Sequence, residues 1–491
     1  MIVSTSDLVL KYNFGMNRGI ILNNDEETYG SNPKNFSHRF KNISPVRLIV
    51  LSFAAVIFCG AGLLTLPISA RDGGVTSFID SFFVATSATC VTGLTPFDTW
   101  SHWSAFGQLV IILLIQVGGL GMVTFTTGFT LFLHKKIGLR DMKIVKEYTG
   151  ASIKDAASLI KTIIYWTLFC ELCGAIALGF RFVPKYGLSG VWASSFIAIS
   201  AYCNAGFDVI GFDVPGNSLI GFASDPVVSV TVTLLITLGG MGFLVVSDIY
   251  SVMNRKIKLK GSHQRLNLHT VIVLVTSLIL LFGGAFMFLM VEHDNTLKDM
   301  SLGEGFFASL LESSVLRTAG FNAMPMANLR DVSKVLSILL MFIGASPVST
   351  GGGVKTTTIV VLLVTVFCVL KGENETVLKN HRISKSTVYK SLTVFALAIG
   401  VIILASLLID GVEMGKGFSM LEIIFEVVSA YSTTGTSLGI TPELSVFSKI
   451  LLSLVMFIGR VGIISTIFAM SIKRKSDRKD KIFPEARVIV G

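Results

Sequence analysis

Apolar stretches of about 20 residues recur along this chain, and that length decides its solvent, because a helix of about 20 residues crosses the ~30 Å hydrocarbon core of a bilayer. Eight segments qualify: 48–66, 106–132, 162–180, 227–246, 271–291, 335–370, 392–409 and 450–472. Only 15% of the 491 residues are charged and 52% are hydrophobic, whereas a soluble domain carries about 25% charge. The expected fold is all-α and membrane-embedded. The sixth segment is too long for one span, since residues 335–370 would extend ~54 Å as a continuous helix.

Basic residues indicate orientation. Most of the 41 Lys and Arg fall in 1–47, 134–161, 250–270, 371–390 and the tail after residue 472, which the positive-inside rule places in the cytoplasm. The formal net charge of +10 thus reflects topology and an inner surface suited to anionic membrane lipid, and is no sign of nucleic-acid binding. Residues 1–47 lack a cleavable-signal pattern, so the first span is expected to direct its own insertion. The cysteines at 59, 90, 170, 173, 203 and 368 lie in or beside apolar segments. They are read as buried thiols; the Cys170-x-x-Cys173 pair sits inside a span with no redox context.

An internal repeat lies in the outer connections. Each carries a half-length segment, at 76–88, 190–201, 302–315 and 418–430, followed by a glycine loop: Val91-Thr92-Gly93, Asn204-Ala205-Gly206, Thr318-Ala319-Gly320 and Thr433-Thr434-Gly435. These glycines are 113, 114 and 115 residues apart, and Gly118-Gly119, Gly239-Gly240, Gly344-Ala345 and Gly459-Arg460 align in the spans that follow. The expected architecture is four pseudo-symmetric helix, pore loop, helix repeats: eight transmembrane helices and four half-membrane pore helices around one central pore. In these terms 1–46 is a cytoplasmic tail and 47–133, 162–249, 271–370 and 391–472 are the pore repeats. The stretches 134–161, 250–270 and 371–390 are linkers, and 473–491 is a second cytoplasmic tail.

Non-helical backbone at membrane depth is tolerated only where protein or water surrounds it, so the four loops must meet. Around one axis, the backbone carbonyls of those twelve residues replace the hydration shell of a cation, K⁺ above all. Glycine is required because a Cβ would obstruct the backbone and the lumen. No acidic ring occupies the aligned positions, so selection rests on carbonyls. Arg317 is expected to pair with Glu312 or Glu426 behind the filter, away from the ion.

Val-Thr-Gly-Leu, Asn-Ala-Gly-Phe, Thr-Ala-Gly-Phe and Thr-Thr-Gly loops with an interrupted sixth span resemble the Trk/Ktr/HKT superfamily of K⁺ transporters over residues 46–491. Eight spans and the ending Phe-Pro-Glu-Ala-Arg-Val-Ile-Val-Gly are most similar to the Ktr membrane subunits, the KtrB group. The resemblance implies K⁺ uptake across a bacterial cell membrane, with both termini cytoplasmic and often with Na⁺ stimulation. It also implies a homodimer with one pore per subunit, on a cytosolic RCK-type, KtrA-like ring. ATP or ADP binds that ring, and no cofactor binds this chain. The terminal residues 488–491 resemble an element buried at the dimer interface. A glycine at Gly93 goes with K⁺ selection, and serine there goes with Na⁺ transport.

The sixth span breaks where Gly344, Ser346, Pro347 and Gly351-Gly352-Gly353 cannot sustain a helix and Lys355 brings charge. An intramembrane loop, 345–357, is expected to line the cavity below the filter. Arg460 stands where two other repeats have glycine, and a guanidinium at mid-span costs at least about 2.5 kcal/mol unless solvated or paired. Two readings of Arg460 stay open. One is structural, bonded to loop carbonyls away from the ions. The other, which the family resemblance implies, is a gate made with Gly351, Gly352, Gly353 and Lys355 that the RCK partner moves.

No enzyme is expected. The seven histidines lack metal-ligand spacing, and the 349–357 segment has Val354 where a phosphate-binding loop needs glycine. An alternating-access carrier or a Na⁺-permeable member of the same superfamily are the alternatives.

Overall fold

In the computed structural model, which describes residues 45–121, 156–258 and 265–470, helix is nearly all of the regular structure. The expected tails, most of the linker 134–161, part of 250–270 and the terminal residues 488–491 lie outside the described residues. Each unit opens with a long helix: α1 (Pro45–Thr65), α4 (Ala156–Tyr186), α8 (Leu268–Glu292) and α12 (Lys385–Glu413). A short helix follows, α2 (Phe78–Cys90), α5 (Leu188–Cys203), α9 (Leu302–Val315) or α13 (Met420–Ser432), close to the half-length segments expected. The chain then crosses a loop into α3 (Ala105–Leu120), α6 (Pro226–Gly240), α10 (Asp331–Phe342) or α14 (Val446–Val461). Three further helices continue from these, α7 (Phe243–Lys258), α11 (Thr356–Leu370) and α15 (Ile463–Met470). An antiparallel hairpin, β1 (Val377–Leu378) and β2 (His381–Arg382), joins α11 to α12.

Among the described residues, α1, α4, α8 and α12 contain spans long and apolar enough to cross a bilayer, and α6 and α7 are apolar enough only when taken together, with a bend of 94° between them. This bend is an interruption beyond the one that the sequence places in the sixth segment. The helices after the loops have only 16, 15, 12 and 16 residues. Three of these four endings include a glycine at positive φ: Gly121 at 78°, Gly242 at 92° and Gly462 at 90°. Hydropathy runs on past each of them, so the break is written in glycine chemistry and not in polarity.

Three of the four start on a side-chain cap. The Ser104 side chain accepts from the Gly107 N–H, Asp225 from Val227 and Val228, and Ser445 from Ser448. Ser301 and Ser419 form reciprocal capping boxes with Glu304 and Glu422 at the heads of α9 and α13. Two buried carboxylates tie the long helix of a unit to the post-loop helix of the same unit: Glu292 accepts from the Arg330 N–H at 3.0 Å and from Ser333, and Glu413 from the Ser445 N–H at 2.9 Å and Ser448 at 2.5 Å. Each holds the head of a post-loop helix, where the helix dipole favours negative charge.

Packing runs from unit to unit. The post-loop helix of one unit lies on the short helix of the next: α3 on α5, α6 on α9, α10 on α13 and, closing the cycle, α14 on α2. Between them sits a core with Phe83, Phe196, Phe207, Phe321 and Phe425 fully buried. The outward faces of the long helices are apolar and exposed, as at Phe58, Phe180, Met290 and Leu404, which suits lipid as the surrounding solvent.

Candidate functional site

The cyclic packing brings the four glycine loops together. Helices α2, α5 and α13 end alike, with the next residue left-handed: Val91 at φ 60°, Asn204 at 60° and Thr433 at 52°. The N–H after it reaches back five residues, Thr92 to Ser87 O at 2.7 Å, Ala205 to Ser200 O at 2.8 Å and Thr434 to Ser429 O at 2.8 Å, the Schellman pattern normally completed by glycine. In the third unit α9 stops earlier, and Thr318 takes φ 70° while the Ala319 and Gly320 N–H groups both donate to Val315 O. A β-branched residue in this conformation is strained by on the order of 1–3 kcal/mol and persists only where its surroundings over-determine it. Val91, Thr318 and Thr433 are such residues.

Two residues on, each loop returns to positive φ at glycine: Gly93 at 102°, Gly206 at 73°, Gly320 at 73° and Gly435 at 98°. A Cβ on Gly93 would lie 2.6 Å from the Ala205 carbonyl oxygen, and one on Gly206 would lie 2.6 Å from the Gly320 Cα. A Cβ on Gly320 would collide with the Thr434 carbonyl, and one on Gly435 with the Thr92 carbonyl. Each glycine therefore abuts the loop of the following unit, and the fourth abuts the first. The middle residues, Thr92, Ala205, Ala319 and Thr434, are fully buried in the same ring.

Side chains behind the ring hold it. Ser87 accepts from the Gly93 N–H and Ser429 from the Gly435 N–H, each at 3.0 Å. Sequence reasoning missed these serines, although the signal was present: a serine stands six residues before every ring glycine, at Ser87, Ser200, Ser314 and Ser429. The expected pairing of Arg317 with Glu312 or Glu426 is not what the structure contains. Arg317 donates to Ser277 O at 3.2 Å and to Ser277 Oγ at 3.1 Å on α8. Glu312 accepts the Ala323 N–H at 3.2 Å and Glu426 accepts from Thr441, so both carboxylates pin the chain leaving the ring.

One face of the ring opens into a cavity of about 250 Å³ lined by the four glycines with Asp98 and Asp208. Burial pushes the Asp208 carboxyl up to about 6; hydrogen bonds from Ser218 and the Ile210 N–H oppose this, and the Asp98 charge adds to it.

Against the other face lies the loop between α10 and α11, residues 343–355. Helix α11 starts at Thr356, slightly before the expected end of the loop. The Gly352 N–H donates to Thr433 Oγ1 at 3.0 Å, and Thr350 Oγ1 donates to Asn204 Oδ1 at 2.9 Å. Asn204 in turn donates to Thr318 Oγ1 at 3.3 Å. A Cβ on Gly351 would collide with the Thr318 hydroxyl, so the bare glycine backbone is what lets the loop sit directly on the ring. Lys355 Nζ donates to the carbonyls of Gly351 at 2.8 Å and Gly352 at 3.3 Å. Arg460 bridges from α14 to Thr350 O in the loop and to Gly118 O, with Gly119 O at 3.3 Å, at the end of α3. A second cavity, of about 240 Å³, is lined by Gly351, Gly353, Lys355 and Arg460. Thr350, not among the residues singled out from sequence, is the hub that joins Arg460, Asn204 and the Gly239 carbonyl.

The chain is similar in sequence and in fold to known cation transport proteins. A family model described as "TrkH: Cation transport protein" matches residues 37–482. The potassium/sodium uptake protein NtpJ of Enterococcus hirae is 34% identical over 457 residues, 92% of this chain and 98% of that protein. The Ktr system potassium uptake protein B of Bacillus subtilis is 35% identical, again over 92% of this chain and 98% of its own. Among solved structures, the potassium transporter TrkH of Vibrio parahaemolyticus is similar in fold, with TM-score 0.69 and 18% identity over 88% of this chain and 86% of that one.

Proposed function

The chain belongs to the TrkH family of cation transport proteins, and from that premise we propose that it takes up K⁺ through the ring formed by its four glycine loops. The single observation behind this reading is that Gly93, Gly206, Gly320 and Gly435 each abut the next loop in a closed cycle. Carbonyls held around an axis by rigid short helices replace the hydration shell of a monovalent cation without a fixed charge in the ring. The chain is thus a multi-pass membrane protein in four pore repeats, and no catalytic step is assigned to it.

The loop 343–355 and Arg460 act as the gate. The loop sits on the ring through Asn204, Thr318 and Thr433, so ions leaving the ring meet it first. Arg460 touches the loop carbonyl at Thr350, which unites the two sequence readings: it is bonded to the loop, and through that bond it holds the obstruction in place. The name of the Bacillus subtilis relative, Ktr system potassium uptake protein B, describes one component of a system. We assign this chain the same place, as a homodimer in a bacterial cell membrane with its tails in the cytoplasm and an RCK-type nucleotide-binding ring as regulator. Na⁺ permeation is the second reading, favoured by the words potassium/sodium in the name of NtpJ. Ion influx into reconstituted vesicles, compared for K⁺, Rb⁺ and Na⁺ under one gradient, tests the assignment. Influx of K⁺ and Rb⁺ well above Na⁺ is expected, and equal rates for all three overturn K⁺ selection.

A further inference from the structure

Helix α6 ends at Gly240, and the chain bends by 94° into α7. Fifteen residues of α6 rise ~22 Å, so a helix that starts at the outer boundary ends ~8 Å short of the inner edge of a ~30 Å core. A segment turned through a right angle at that depth runs along the membrane plane, within the 5–10 Å that interfacial helices penetrate. The sequence of α7 suits that place: Phe-Leu-Val-Val-Ser-Asp-Ile-Tyr-Ser-Val-Met, then Asn-Arg-Lys-Ile-Lys. Val245 and Val252 are buried, while Tyr250 and Met253 are 62% and 58% exposed.

Helix α7 is tied at its middle and at its head. Asp248 accepts the Asn267 N–H at 3.0 Å, Asn267 Nδ2 at 2.7 Å and Thr270 Oγ1 at 2.6 Å, which fixes α7 to the first turn of α8. At its head, the Phe243 N–H donates to Val348 O at 2.8 Å. The broken end of α6 takes two more bonds from the same loop, Ser346 N–H to Gly240 O at 3.0 Å and Thr350 N–H to Gly239 O at 3.3 Å. Phe243 and Val348 also share an apolar cluster. Three residues of the loop that lies on the glycine ring, Ser346, Val348 and Thr350, are therefore bonded to the junction of α6 and α7.

We propose that α7 is a membrane-surface helix that binds the anionic headgroups of inner-leaflet phospholipid, and that its seat on that surface sets the position of the loop 343–355. The proposal rests on the reading of that loop as the gate. Anionic lipid is favoured as occupant because Tyr belongs at headgroup level and because the helix ends in Arg255, Lys256 and Lys258, a basic cluster that an anionic surface attracts within a Debye length.

The test uses the full-length protein in vesicles of phosphatidylcholine alone or with added phosphatidylglycerol, and reads K⁺ influx. The variants are Arg255→Gln/Lys256→Gln/Lys258→Gln, Tyr250→Ser, and a loop-shortened chain. Phosphatidylglycerol is expected to change wild-type influx several-fold, the two α7 variants to lose most of that response while keeping the wild-type rate in phosphatidylcholine, and the loop-shortened chain to conduct faster with no response. Wild-type influx indifferent to phosphatidylglycerol overturns the proposal, as does a response undiminished in a folded α7 variant or retained when the loop is shortened. Sensitivity of the α7 variants to a protein partner or to oligomeric state, with no lipid response, assigns the face to protein and also overturns it. A loop-shortened chain that conducts only at the wild-type rate instead sinks the gate reading, a separate result.

Discussion

Asp208 stands two residues beyond Gly206, at the cavity that opens on the ring, and its carboxyl is pushed up to about 6 by burial. It is ionised above that pH and neutral below it, and a carboxylate at the mouth of a low-dielectric passage concentrates cations there. K⁺ influx is therefore expected to fall as external pH drops from about 7 to about 5, with a midpoint near 6, and to be lower and flatter in Asp208→Asn; a variant with the wild-type pH profile contradicts this. The stability linkage has the opposite sign. Folding raises this carboxyl above its ordinary 3.8, so the folded chain binds the proton more tightly and the contribution is lost as pH rises through about 6. At this scale the sequence is uneven. Gly93 and its three partners are legible because a conformation reserved for glycine recurs at a steady period. The partner of Arg317 is not, since Ser277 lies 40 residues away and only lateral packing of α8 on α9 brings them together.

The loop 343–355 is a short element with hydrogen bonds to other units: Thr350 to Asn204, Gly352 to Thr433, and Arg460 back to Thr350. Removing the guanidinium leaves the Thr350, Gly118 and Gly119 carbonyls without their donor and frees the loop. Arg460→Ala, or deletion of a few loop residues, is expected to raise K⁺ influx several-fold and to reduce its dependence on a regulatory ring. Variants that fold, dimerise and conduct at the wild-type rate count against the gate. The break that makes this loop is plain in sequence, where Pro347 and three consecutive glycines interrupt an apolar run. The bend between α6 and α7 is not. Gly240-Met241-Gly242 resembles the ends of the neighbouring spans, and the apolar run continues to Val246, so hydropathy reads straight through a right-angled turn.

At the scale of the whole molecule, four weakly similar units close a cycle, and the closure is set by contacts such as α14 on α2 that no single repeat encodes. The spacing of the glycine loops is legible in the sequence; the order of contact among the helices is not, because it depends on which faces of the short helices meet. Assembly is a further step. We propose, from the sequence resemblance alone, that residues 488–491, which lie outside the described residues, belong to a dimer interface; their removal is expected to convert dimers to monomers by light scattering in detergent, and a truncated chain that stays dimeric refutes that proposal. On the function proposed above, the glycine ring selects the ion. The most direct measurement is the K⁺ to Na⁺ influx ratio of Gly93→Ser beside the wild type in the same vesicles. A Cβ there lies 2.6 Å from the Ala205 carbonyl, inside any normal contact, so the account predicts that the ratio falls about tenfold or more, a loss of ~1.4 kcal/mol of discrimination. An unchanged ratio in a well-folded Gly93→Ser protein would contradict it.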